Sequence, residues 1–73
     1  KMGGVFVDTI KRVQDLMQVR DMNLCVLAKK CGISYSTIQT TARRGGQLSV
    51  ETIERICLGL EITLKDFFDS SYL

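Results

Sequence analysis

The stretch that most restricts this chain's fold is residues 23–43, NLCVLAKKCGISYSTIQTTAR. Asn23 is a good helix N-cap, because its side-chain oxygen can accept from the free N–H groups of a first turn. Leu24, Leu27, Ala28 and Cys31 follow at gaps of three, one and three, an apolar stripe along one helix face. Gly32 then supplies the left-handed backbone that ends a helix. Ser34 is placed to cap a second helix carrying Tyr35, Ile38, Thr41 and Ala42. Short helix, glycine, short helix is the arrangement of a helix-turn-helix, and a plain αα-hairpin has the same periodicity.

The flanking sequence adds capped helices on both sides. Asp8 caps a first helix running to about Asp21, with Ile10, Val13, Leu16 and Met17 inward and Arg20 as a charged edge. Lys11, Arg12 and Asp15 fall on its solvated side. Val5, Phe6 and Val7 read as a staple onto its first turn, or else as an extended arm or dimer contact. Arg44, Gly45, Gly46 and Gln47 form a basic, flexible connection. Ser49 caps a fourth helix from Val50 to about Gly59, with Val50, Ile53, Ile56, Cys57 and Leu60 on its apolar face. Thr63 caps a short fifth helix in which Leu64, Phe67 and Phe68 close the core.

This pattern predicts one small all-α domain over residues 5–69. Residues 1–4 read as a start region or tag remnant, and residues 70–73 as a tail that frays or makes a dimer contact. With 73 residues and 45% hydrophobic content, the core is modest and mainly aliphatic. No run of eighteen apolar residues predicts a transmembrane span, and the opening KMGGV lacks a secretory pattern. Cys25, Cys31 and Cys57 are an odd set without C-x-x-C spacing, which fits a reducing, cytoplasmic setting. With no histidine in the chain, neither a zinc site nor a cysteine nucleophile has its usual partner. We therefore expect no enzyme, no cofactor and no membrane partner.

Charge is distributed unevenly. Residues 1–50 hold eight basic and three acidic side chains, net +5, whereas residues 51–73 hold two and five, net −3. A domain with one face toward a polyanion has this polarity.

The order of elements resembles the lambda-repressor/Cro-like (XRE) family of helix-turn-helix domains. The resemblance is carried by Met22-Asn23, Leu27-Ala28, Gly32-Ile33-Ser34, Ser36-Thr37-Ile38, Arg43, the run from Ser49 through Ile53, Ile56-Cys57, Leu60, Ile62, Leu64 and Phe67-Phe68. It covers about residues 9–68 and implies a compact five-helix lambda-repressor-like fold, a double-stranded DNA operator as partner, and transcriptional regulation, often as a homodimer. It further implies that Tyr35, Ser36 and Thr40 face bases, with Gln39 or Thr37 contributing at the edge. Gln39 suits adenine, because its amide carries both a donor and an acceptor. Asn23 matches a phosphate-anchoring position, and Arg43 and Arg44 would reach the adjacent strand. Lys29 and Lys30, and more remotely Lys11 and Arg12, are further phosphate candidates. The plain alternatives are ordinary surface polars for Gln39 and Thr40, a half-buried aromatic for Tyr35, and solubility for the isolated surface cations.

The departures from the family pattern carry expectations of their own. Leu24 stands where glutamine often binds phosphate, so one anchoring contact is lost. Met17 and Ala42 replace a frequent arginine–glutamate pair with apolar residues, an exchange that a fold tolerates. Arg44 and Glu61 occupy usual glycine positions, so either the turns shift or these residues accept positive φ. Thr41 replaces a large apolar residue. Leu24, Leu48 and Leu58, with Tyr72 and Leu73, would supply the surface of an alternative role, a protein-interaction or antitoxin-like adaptor.

Overall fold

The caps read from the sequence set most of the helix starts in the computed structural model, which describes residues 8–69. Five α-helices follow one another: α1 Thr9–Val19, α2 Leu24–Cys31, α3 Tyr35–Arg44, α4 Val50–Leu60 and α5 Leu64–Phe68. Asp8 accepts from the Lys11 N–H at 2.9 Å, and Asn23 from the Val26 N–H at 2.9 Å. Ser49 accepts from Thr52 N–H, and Thr63 forms a reciprocal capping box with Asp66. The readings of Val5–Val7, of residues 1–4 and of Tyr72 and Leu73 lie outside the described residues.

Ser34 departs from expectation. It holds the N-cap position of α3 in extended backbone, but its hydroxyl pairs with Ser36 Oγ at 3.0 Å and caps no backbone N–H. Two short polar side chains there satisfy each other before the helix.

The two non-glycine turns resolve differently. The sequence puts the end of α3 at about Arg43; it runs one residue further, through Arg44, and Gly45 takes the left-handed position at φ 71°. After α4 the turn does not shift, and Glu61 itself adopts φ 59°. α1 ends at Val19, short of Asp21, which has φ 55°. Met22 N–H then returns to the Met17 carbonyl at 2.9 Å. Arg20, expected at the edge of the inward stripe, is exposed beyond that helix end.

Val13, Leu27, Ile38, Ile56, Leu60 and Phe67 form the centre of one core, with Leu16, Cys31, Leu48, Ile53 and Cys57 around them. Leu48 is only 6% exposed, which removes it from any partner surface. It occupies the N′ position of α4 and Ile53 the N4 position, the two places of a hydrophobic staple, and both are in the core. Val50, expected inward, is 68% exposed because Leu48 fills that end of the helix instead.

The connection from α3 to α4 is fixed to α1. Thr9, buried, donates its hydroxyl to Gln47 Oε1 at 2.7 Å and accepts from Leu48 N–H at 2.9 Å. The same Gln47 oxygen accepts from Thr9 N–H. Arg12, expected in solvent, is also structural. It pairs with Asp15 at 2.6 Å and donates to the carbonyls of Asp66 and Phe67, tying α1 to the end of α5.

Candidate nucleic-acid interface

The structure brings the residues of α3 onto a face defined by what the helix buries. Ile38 is its one buried side chain, and Thr41 is half-buried beside it. Opposite them, Ser36, Thr40 and Arg43 recur at gaps of four and three and form the outermost row. Tyr35 and Gln39 make the adjoining row on the side of α1, and Thr37 and Arg44 border the other side. All seven are exposed. Such a face, polar at its start and doubly cationic in its last turn, suits a groove with base edges in its floor and phosphates along its rim.

Within this face the side chains are partly organised. Gln39 Nε2 donates to the Tyr35 hydroxyl at 3.0 Å, an i, i+4 pair across one turn. The first-turn N–H groups of α3 receive no side-chain cap and project with the positive end of the helix dipole. Among the described residues, Arg43 and Arg44 make no side-chain hydrogen bond or ion pair.

Asn23 uses Oδ1 to cap α2 and keeps its amide N–H groups for another acceptor. Lys29 and Lys30 are exposed in the last turn of α2, where their charges complement the dipole whatever else they do. Arg12 is withdrawn from the phosphate candidates by its three bonds to Asp15, Asp66 and Phe67. The sequence held a signal for this that periodicity does not read: α5 has only five residues, so its terminal carbonyls need donors from elsewhere.

The apolar departures form a groove and not a sealed contact. Met17 is half-buried against the core, Ala42 is exposed, and both line an opening of about 250 Å³ with Leu24, Ile38, Gln39 and Arg43. Leu24 packs on the core, so it belongs to the fold and not to a free partner surface. Leu58 is different. It is 79% exposed on α4, and Leu64 and Phe68 are also exposed on α5.

Cys31 and Cys57 are buried in the core, and burial is the main cause that raises both thiol pKa values. For Cys31, nearby Lys30 works against that rise. Both thiols stay protonated at neutral pH and act as small apolar groups. Among the described residues no group of three His, Cys, Asp or Glu side chains could hold a metal, and no helix is long and apolar enough to cross a membrane.

A five-helix all-α fold with an exposed polar second helix in its helix–glycine–helix unit is the architecture of a helix-turn-helix domain. The family model for the Cro/C1-type HTH DNA-binding domain matches residues 12–70, and the chain belongs to that family. DNA binding without catalysis goes with membership. No curated protein and no solved structure matches the chain.

Proposed function

We propose that this domain is a sequence-specific regulator of transcription, acting as a repressor in the cytoplasm. α3 lies in the major groove of an operator, where Tyr35, Ser36, Thr37, Gln39 and Thr40 meet base edges. Asn23, Arg43 and Arg44 hold phosphates, with Lys29 and Lys30 adding longer-range attraction. The observation that carries this reading is the exposed polar face of α3 ending in two arginines that have no partner among the described residues. Occupancy of a promoter excludes or displaces polymerase, and two copies on paired half-sites raise affinity through linked binding.

Selection of bound duplexes from a random pool, followed by salt titration of the selected sequence, tests it. The expected result is a two-fold symmetric site. Arg43→Ala then weakens all duplexes alike and lowers the salt slope by about one unit. Base-reading substitutions instead flatten preference at one position, by roughly 1–3 kcal/mol. Binding that remains indifferent to sequence contradicts operator reading.

The exposed Leu58, Leu64 and Phe68 favour a second reading, an adaptor that uses this fold to hold a protein partner. Combined substitution of Gln39, Arg43 and Arg44 separates the two. It abolishes the function of a DNA regulator and leaves an adaptor's complex intact.

A further inference from the structure

We propose that Tyr35 and Gln39 act as one reading unit for adenine, in which Tyr35 is a positioning residue that sets the orientation of the Gln39 amide. This deepens the DNA-binding reading above and rests on it. The pair is already assembled in the free domain, with Gln39 Nε2 donating to the Tyr35 hydroxyl at 3.0 Å. Both residues are exposed, and among the described residues neither has another side-chain hydrogen-bond partner.

The donor and acceptor count of the pair matches one base edge. An amide nitrogen carries two protons, and the phenol takes one of them. The second proton and Oε1 remain, side by side in the amide plane. Adenine presents an acceptor at N7 beside a donor at N6 in the major groove, the complement of that pair. Guanine presents two acceptors there, and Oε1 would face O6.

The phenol discriminates because of its own proton. With its ring edge along the bases, Tyr35 can still turn its O–H to the neighbouring backbone phosphate, and donating there leaves only its lone pairs for the amide. A flipped amide would then set Oε1 against those lone pairs. One residue thus holds the strand and, through the same oxygen, fixes which way Gln39 reads. A free glutamine has to be ordered on binding, at the expense of side-chain entropy, and the bond to Tyr35 offsets part of that cost.

The test uses the duplex recovered by selection, with wild type, Tyr35→Phe, Gln39→Ala and the double variant. Affinity is measured for adenine, guanine, 7-deazaadenine (no N7) and purine (no N6 amine) at the position Gln39 controls. Wild type should prefer adenine and lose affinity with each atom removed. Tyr35→Phe should narrow the adenine-over-guanine preference about fivefold, the effect of one hydrogen bond. It should also weaken every duplex slightly through the lost phosphate bond. In the Gln39→Ala background, Tyr35→Phe should show only that uniform loss.

Unchanged preference in Tyr35→Phe overturns the proposal, as does a preference change that persists without Gln39, or selection of a base other than adenine. Those results leave DNA binding standing. A domain that retains no duplex even at low salt overturns both readings together.

Discussion

The two sides of this domain are built to different tolerances. α2 and α4 make its most extensive helix contact. At their seam Gly59 sits so close to Cys31 that an added Cβ would lie 2.4 Å from Sγ and 2.8 Å from Cα. α4 buries Ile53, Ile56, Cys57 and Leu60 in the common core. On the other side α3 is attached by Ile38 and borders an open groove lined by Met17 and Ala42. The sealed seam supports the fold, while the helix proposed to meet DNA is held at few points. A recognition helix with most of its side chains in solvent has few to spare for the core.

Removing the single anchor should have the largest effect. Ile38→Ala is expected to cost about 3 kcal/mol of stability, from lost transfer energy and the cavity left behind. Urea denaturation measures the total. Native-state hydrogen exchange should show α3 amides losing protection before those of α2 and α4. Equal loss in all helices would mean that α3 is no looser than the seam.

Gly59→Ala should follow, at about 2 kcal/mol. Alanine is the better helix former by roughly 1 kcal/mol, but the added methyl meets the backbone of α2, and overpacking of this kind exceeds that gain. A neutral or stabilising result, again by urea denaturation, would show that the seam has slack.

Filling the groove acts in the opposite direction. Ala42→Leu adds apolar surface beside Met17 and should raise stability by about 1 kcal/mol. Thermal unfolding detects the shift, and no gain would mean that the groove is closed by side-chain motion.

The smallest effect concerns the buried thiols of the seam. Burial holds the folded pKa of Cys31 and Cys57 above the ordinary thiol value of 9.0, so the native state keeps its protons longer than the unfolded chain. Their contribution is complete below that pH and is lost as pH rises through the folded values. Stability should therefore decline above about pH 9, and Cys57→Ala should make the decline shallower.

Much of this architecture was legible because caps and apolar periodicity act locally. Asp8, Asn23, Ser49 and Thr63 each begin the helix that their chemistry suggests. What stayed hidden depends on residues distant in sequence. Thr9 meets Gln47 across 38 positions, and Arg12 reaches Phe67 across 55. Nothing beside Gly59 marks it as a close approach, since the constraint comes from Cys31 on another helix. Glu61 shows the limit of residue-type rules, because the Ile62 N–H bond to the Cys57 carbonyl closes the turn although its left-handed residue is not glycine. At the interface, the candidates on α3 were nameable from its periodicity and from family resemblance. The Tyr35–Gln39 bond required the actual rotamers.

The most direct test of the account is a map of amide chemical shifts as a selected duplex is titrated into the labelled domain. The account predicts the largest changes from Tyr35 to Arg44 and at the start of α2 after Asn23, with little response around Leu58 and Phe68. Changes confined to the α4–α5 surface, with α3 silent, would contradict it.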